Sequence, residues 1–255
     1  MPDKAMPVIG HLTELRKRLI VSFAALFAGF LIAFSFSEDL MGVLTIPMRM
    51  DISFRPSYPF LQMTERAGAM KLVFLAPAEA FWMHMKVSLI AGLFLSLPVI
   101  LYQLWGFVSP GLLPGEKKYA GLFVVVATLL FLAGAAFCLG VVLPFAIRFL
   151  LTYKTSAFTP MISVGNYADF CLKFLLAFGA IFELPVAILF LTRMGVVSPA
   201  TLARHRKYAV LLAFVAAAIL TPTPDAFNQT LMAVPIIILY EAGILVSRIF
   251  SRRRS

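Results

Sequence analysis

The sequence predicts an all-α, polytopic membrane protein with six transmembrane helices. Three observations lead to this fold class. Of the 255 residues, 61% are hydrophobic, and the mean hydropathy is +0.94. Only 13% of the residues are charged, about half the share found in a typical soluble domain. The apolar residues also gather into stretches of roughly 20, the length that crosses the hydrocarbon core of a bilayer as a helix.

Six stretches meet or approach this length, at about 19–37, 81–108, 119–147, 167–191, 208–221 and 229–246. The last two are short, and only TPTPDAFN separates them, so one re-entrant hairpin is an alternative to two spans. Residues 1–18 are predicted to form an inner amphipathic segment, with no apolar core of a signal peptide. We expect one membrane domain over 1–255.

The positions of Lys and Arg predict that both termini face the cytoplasm. Most of the 22 basic residues fall in the N-terminal segment, the 109–118 and 192–207 loops and the C-terminus, which lie on one side of a six-span protein. Basic loops remain on the cytoplasmic side. The long 38–80 segment on the other side forms an external cap loop, which prolines divide into short helices or turns. Ser37 is a candidate N-cap for one of these helices.

Glu183 stands inside the fourth span, in AFGAIFELPVAIL, with Pro185 two residues later. A charge at this depth costs at least about 2.5–3.5 kcal/mol on insertion scales. Pro185 removes one backbone donor and should free the carbonyl of Ile181. These features together predict a polar recess in the membrane. The alternative is a structural carboxylate, protonated or paired between helices.

Two carboxylates lie on the predicted cytoplasmic side. Glu14 belongs to the amphipathic stretch HLTELRKRLI and can pair with Arg18 at i, i+4. Glu116 follows the turn-rich SPGLLPG. Each has a plain interpretation, an interfacial helix for Glu14 and a solvated loop for Glu116. Together they could instead bind arginine, because a guanidinium group binds carboxylates through a two-pronged fork.

Further polar residues lie around the last two spans. Asp225 stands in the connecting turn, and it either caps the following helix or has a functional role. Thr221 and Gln229 stand at the span ends, and Glu241 is a second intramembrane acid that needs a partner.

Four stretches together resemble the TatC family, the large polytopic subunit of the twin-arginine protein translocase. They are HLTELRKRL, SPGLLPGEKKY, FGAIFELPVAIL and LTPTPDAFNQTLMAVPIIILYEAGILVSR, spread from residue 11 to 248. The resemblance implies a cupped, concave bundle in the bacterial inner membrane. It implies a receptor, not an enzyme, that binds twin-arginine signal peptides. With small TatA- and TatB-type single-span subunits, it would export folded proteins using the proton-motive force.

The resemblance also implies roles for individual residues. Glu14 and Glu116 match the family's signal-peptide acids, and Arg16 and Pro47 match two further functional positions. Glu183 matches the intramembrane glutamate. Thr221 and Gln229 resemble the docking place of the partner helices, although two Thr-Pro pairs precede Asp225 and either threonine could correspond. Glu79 matches only loosely, and we favour a plain helix-start acid there.

Two other classes of function remain open. A proton-coupled small-solute transporter would use Glu183 and Glu241 as relays, but no internal repeat is visible. A membrane-embedded enzyme would need a nucleophile, base or metal constellation. The chain has three scattered histidines and no HExxH, GxSxG, Walker-type or CxxC motif.

Cys138 and Cys171 fall in apolar stretches and should be buried. We expect no cofactor, metal or nucleic-acid partner, but do expect contact with lipid and further copies of the chain.

Overall fold

The fold is a bundle of membrane-length helices, as predicted. The computed structural model describes residues 8–54, 61–65, 72–108, 120–152, 161–221 and 225–251. Within these ranges, five helical segments are long and apolar enough to cross a membrane. A sixth, shorter helix is the 15-residue segment Arg206–Leu220.

In chain order, the elements begin with α1 (Val8–Ser35), α2 (Ser37–Leu44), α3 (Ile46–Arg49), β1 (Met50–Phe54), β2 (Leu61–Glu65) and α4 (Glu79–Val108). Then follow α5 (Ala120–Phe137), a π-helical turn (Cys138–Val142), α6 (Leu143–Thr152), α7 (Val164–Phe182) and α8 (Leu184–Arg193). The last are α9 (Pro199–Arg204), α10 (Arg206–Leu220) and α11 (Ala226–Ser251). We call the end of the bundle with α2, α3 and the strands the cap face, and the end with the start of α1 the amino-terminal face.

The first span and the amphipathic segment before it are one continuous helix. The described part of the predicted 1–18 segment runs without a break into the first span, because no proline interrupts α1 between Val8 and Ser35. α1 packs along α4, and the two backbones meet at Gly29 and Gly92. A Cβ atom on Gly29 would lie 2.6 Å from the carbonyl oxygen of Gly92. The two glycines therefore permit a crossing that no larger residue would allow.

The cap loop contains two short helices, as predicted, and an antiparallel hairpin that was not predicted. β1 pairs with β2 in a register that runs from Met50 opposite Glu65 to Phe54 opposite Leu61. The signal was present, since MDISF and the first four residues of LQMTE alternate apolar and polar residues. Ser37 is not the N-cap of α2. That position is Phe36, which makes no side-chain capping bond.

The cap is fastened to the bundle by polar contacts with α7 and the segment before it. The Tyr167 hydroxyl donates to the carbonyl of Leu44 at 2.9 Å. The backbone N–H of Val73 donates to Ile162 at 3.1 Å, and that of Val164 donates to Val73 at 3.0 Å. These bonds satisfy backbone groups that would otherwise be left unpaired where loops meet the membrane.

The hydrophobic core is centred on α7, whose Cys171, Phe174 and Phe178 are fully buried. Cys138 is buried as well, so both cysteines are buried, as the sequence predicted, and both are free. The third span continues from α5 through the π-helical turn into α6. Pro144 lies just beyond that turn, and a π-helical turn is one way for a helix to accommodate a proline that lacks its backbone donor.

The sixth span is longer than predicted. Residues 229–246 were expected to form a short helix, whereas α11 runs from Ala226 to Ser251. Its start is set by Asp225, whose Oδ1 accepts from the backbone N–H of Asn228 at 2.7 Å. A helix of this length can cross a bilayer, which favours two separate spans over a re-entrant hairpin.

Candidate functional site

At the amino-terminal face, Glu14 forms the predicted ion pair with Arg18. Arg18 directs both Nε, at 3.0 Å, and Nη2 to the same oxygen, Oε1 of Glu14. The guanidinium fills the space that a side chain on Gly106 of α4 would need. The other carboxylate oxygen, Oε2, is buried and has no hydrogen-bond partner among the described residues. Glu14 therefore keeps one acceptor that a second guanidinium group could use.

Aromatic rings pack against the end of α4 that carries Gly106. His11 of α1 stacks on Phe107 of α4, with 4.3 Å between the ring centroids. Trp105 packs against Phe123 at 4.3 Å and Phe190 at 5.5 Å. The Trp105 Nε1 group is buried and finds no acceptor within the part of the chain that the structure describes. These contacts fix the end of α4, and with it the surface beside Glu14.

The other two residues predicted for this site are Arg16 and Glu116. Arg16 is exposed on α1 and makes no hydrogen bond or ion pair with the described chain. Glu116 lies outside the described residues. Of the two predicted acids, the structure therefore describes Glu14 and not Glu116.

Glu241, predicted to need a partner, has one. Arg206 donates to its carboxylate through Nε at 2.7 Å and Nη2 at 2.8 Å. Next to it, the Tyr240 hydroxyl donates to the carbonyl of Leu202 at 2.9 Å. This two-pronged pair holds the start of α10 against α11 and removes the need for a relay role at Glu241.

Glu183 lies where the fourth span breaks. It ends α7 as its C-cap, and α8 begins at the next residue with Pro185 in its first turn. The Ile181 carbonyl, which we expected to be free, accepts a backbone N–H at this cap. The break itself supplies that donor, because the helix tightens where it ends. Oε1 of Glu183 is buried without a partner among the described residues.

Close helix packing holds this break in position. A Cβ on Gly243 of α11 would lie 2.7 Å from Cδ1 of Ile188 and 3.2 Å from Cα of Pro185. On the other side, a Cβ on Gly134 of α5 would lie 2.5 Å from the carbonyl oxygen of Phe178. α7 therefore packs closely against Gly134 of α5, and α8 packs closely against Gly243 of α11. These two contacts lie before and after Glu183 in the chain.

The polar residues predicted to dock a partner helix lie at the cap-face ends of α10 and α11. The Thr221 hydroxyl is buried and donates to Ala217 at 2.7 Å. The Gln229 amide donates to the carbonyl of Phe214 at 3.0 Å, which ties α11 to α10. Asp225 caps α11, and its Oδ2 accepts from the Asn228 amide at 2.8 Å. The sequence left two roles open for Asp225, and the structure shows the first of them, capping of α11.

Pro47 and Glu79 both serve the cap. Pro47 is fully buried within α3. The Glu79 carboxylate accepts from the backbone N–H groups of Gly165 at 2.7 Å and Leu75 at 2.6 Å, and from the Ser163 hydroxyl. Glu79 therefore connects the start of α4 to the start of α7. The sequence had favoured only a local role for it, as an acidic residue at the start of a helix.

Sequence reasoning missed a charged cluster between α4 and α7. Lys86 donates to both carboxylate oxygens of Asp169, at 2.7 and 3.0 Å. Lys173 lies one turn further along α7 and is exposed. The i, i+4 spacing of Asp169 and Lys173 in an apolar span was the available signal.

The fold and these sites define a multi-pass membrane protein. Among the described residues, no group of three His, Cys, Asp or Glu side chains could hold a metal ion.

Comparison with known proteins identifies the family. The family model described as TatC, Sec-independent protein translocase protein, matches residues 10–235. The Sec-independent protein translocase protein TatC of Carboxydothermus hydrogenoformans is 39% identical over 248 residues, 97% of this chain and 95% of that relative. The TatC protein of Aquifex aeolicus is 38% identical over 251 residues, 98% of each chain.

A solved structure agrees with these relatives. The crystal structure of the twin arginine translocase receptor TatC has a TM-score of 0.77 to this chain at 38% identity, covering 94% of this chain and 99% of the other. The chain belongs to the TatC family of Sec-independent protein translocase proteins.

Proposed function

We propose that this chain is the receptor subunit of a twin-arginine translocase. It binds the consecutive arginines of signal peptides at the amino-terminal face. With TatA- and TatB-type single-span subunits, and in an oligomer with further copies of itself, it exports folded proteins using the proton-motive force. It performs no catalysis of its own. The proposal places it in the bacterial inner membrane with both termini in the cytoplasm and the cap face outside.

The observation that carries the proposal is the unpartnered Oε2 of Glu14. Arg18 already shows that this carboxylate binds a guanidinium group, and it occupies only one oxygen. A signal-peptide arginine can bind this buried oxygen once docking of the peptide exposes it, while Arg18 keeps Oε1. We propose that Glu116 supplies the second carboxylate and that Arg16 orients the peptide backbone or its polar groups from the exposed side of α1.

We assign the remaining predicted residues as follows. Glu183 and Pro185 form a polar recess where the fourth span breaks. The shortness of α10, roughly 22 Å at 1.5 Å per residue, fits a thinned bilayer beside Thr221 and Gln229, where partner helices dock. Pro47 and Asp225 keep the external connections in place, since one is buried in the cap and the other caps α11.

The experiment that tests the receptor role is photocrosslinking from position 116 in inner-membrane vesicles. The ligands are two signal peptides that differ only in carrying Arg-Arg or Lys-Lys. We expect a crosslink that needs Arg-Arg and weakens in Glu14→Gln. The matched control is Glu38→Gln, which removes an exposed carboxylate of α2 at the cap face and should leave the crosslink unchanged. A crosslink that is indifferent to the arginines, or equal in both variants, would refute the site.

A further inference from the structure

The side of α1 that faces the end of α4 carries His11, Glu14 and Arg18. These residues are three and four positions apart, so they share one face of the helix. At one end of this row the His11 ring stacks on Phe107 of α4, with 4.3 Å between the ring centroids. At the other end the Arg18 guanidinium lies against Gly106 of α4. Glu14 therefore lies between two contacts that join α1 to α4.

Gly106 makes room for the Arg18 guanidinium. A Cβ atom on Gly106 would lie 2.6 Å from Cζ of Arg18 and 2.9 Å from Nη2, closer than ordinary contacts, which begin near 3.4 Å. The missing side chain leaves a recess on α4, which we call the Gly106 notch, and the guanidinium fills it. The Arg18 and Glu14 side chains are 24% and 23% exposed. Packing against α4 therefore restricts the rotamers that Arg18 can adopt.

Arg18 binds Glu14 in a way that uses only half of the carboxylate. Its Nε, at 3.0 Å, and its Nη2 both donate to Oε1. A guanidinium that occupied the whole carboxylate would direct one donor to each oxygen, as the usual two-pronged pair does. Oε2 has no hydrogen-bond partner within the described part of the chain. This arrangement fits a residue that orients the carboxylate and not one that fills it.

We propose that Arg18, seated in the Gly106 notch, is a positioning residue of the twin-arginine site. It holds the Glu14 carboxylate with Oε2 in the orientation that a signal-peptide guanidinium needs. The inference rests on the receptor function proposed above, and it adds a reason for the preference for arginine over lysine. A guanidinium is planar and donates in fixed directions, so it needs a fixed acceptor, whereas a lysine ammonium is a point charge with rotatable donors.

The size of the effect follows from the rotamers of Glu14. Its χ1 and χ2 torsions each join sp³ carbons and have three staggered wells. Without a fixed Arg18 to select one well, the orientation that binds arginine is populated about a third as often for each torsion released. Release of one or both torsions should therefore weaken binding of an Arg-Arg peptide about threefold to ninefold.

Two substitutions disturb the guanidinium and keep the positive charge. Gly106→Ala fills the notch, and Arg18→Lys removes the planar fork. Each should weaken binding of the Arg-Arg peptide by the factor above and leave the weaker binding of a Lys-Lys peptide unchanged. Because both act through the same contact, Gly106→Ala should have little further effect in an Arg18→Lys background.

The matched control is Gly121→Ala at the start of α5, also at the amino-terminal face, where an added Cβ meets no atom within 4 Å. It should bind both peptides as the wild type does. Gly106→Ala should melt no lower than this control, because its methyl group meets the end of a flexible side chain and not backbone.

The assay is saturation binding of a fluorescent signal peptide to the protein in nanodiscs. Increasing peptide is added to a fixed amount of protein, the nanodiscs are captured, and empty nanodiscs give the lipid background. A loss of positioning raises the midpoint of the curve at an unchanged plateau, whereas a loss of folded protein lowers the plateau. If Gly106→Ala lowers the plateau, the midpoint of Arg18→Lys decides the question.

Three results would overturn the inference. They are an unchanged midpoint in Arg18→Lys, tighter binding in Gly106→Ala, which would make Arg18 a competitor of the peptide, and equal weakening of the Arg-Arg and Lys-Lys peptides. A wild-type protein that binds both peptides equally would instead refute the receptor function itself. The two failures are therefore distinguishable in one experiment.

Discussion

The crossing of α1 and α4 provides the sharpest test of the packing, through the substitution Gly92→Ala. The added Cβ would lie 2.5 Å from the backbone nitrogen of Phe30 and 2.7 Å from its Cα. Ordinary contacts of a Cβ begin near 3.4 Å. Because both neighbours are backbone atoms, no change of rotamer relieves the overlap. The two helices must separate locally by about 1 Å, the kind of backbone shift that overpacking forces.

Overpacking of this kind costs about 1–3 kcal/mol. At about 2–4 °C per kcal/mol for a chain of this size, the melting temperature should fall by about 2–12 °C. The separation should also reach the amino-terminal face, since Arg18 on α1 packs against Gly106 on the same α4. We therefore expect weaker signal-peptide binding in the same variant, although Gly92 lies roughly 21 Å along α4 from Gly106.

The buried cysteines supply the assay. Cys138 and Cys171 are free and inaccessible in the folded protein, so a thiol-reactive fluorogenic dye reports unfolding in detergent as the temperature rises. The control is Gly42→Ala in α2, where an added Cβ meets no atom within 4 Å. That variant should melt no lower than the wild type, because alanine favours the helix over glycine. If Gly92→Ala melts at the same temperature as Gly42→Ala, backbone contact at Gly92 does not determine how α1 and α4 cross.

Three further predictions concern individual side chains. Tyr167→Phe removes the buried hydrogen bond to the carbonyl of Leu44 and should lower the free energy of unfolding by about 1 kcal/mol. The dye assay should show a lower melting temperature. An unchanged melting temperature would mean that other contacts hold the cap. Glu183→Gln should slow export driven by the proton-motive force in vesicles while peptide crosslinking stays normal, and a wild-type export rate would count against the polar recess. Glu241→Gln breaks a half-exposed pair with Arg206 that is worth about 0–1 kcal/mol at most. Export should continue in that variant. A loss of export would reopen the hypothesis that Glu241 relays protons.

Much of the architecture could be predicted because the bilayer imposes simple rules on a sequence. Long apolar stretches become helices, since every backbone group in the hydrocarbon must find a partner within its own segment. Local rules also predicted the Glu14–Arg18 pair at i, i+4, and they offered helix capping as one of two roles for Asp225. Each depends on residues within a few positions of one another.

The features that escaped prediction depend on contacts between distant parts of the chain. The ion pair between Lys86 and Asp169 joins residues 83 positions apart, and Glu79 reaches Gly165 across 86. The sequence also could not identify Arg206 as the partner of Glu241, because Arg206 belongs to another helix. The hairpin of β1 and β2 was missed although its alternation was readable, since no strand was expected in so apolar a chain.

The sequence by itself determined that this is a polytopic helical membrane protein, which long stretches are apolar enough to cross a bilayer, and which family's motifs it carries. Only the tertiary structure decided which acids are already paired and which keep a free oxygen. The reason is physical: hydropathy and local spacing are properties of a segment, whereas the partner of a buried charge is set by helix packing. Glycines such as Gly29, Gly92 and Gly243 set that packing by the close approach they permit, and their partners appear only once the helices are assembled.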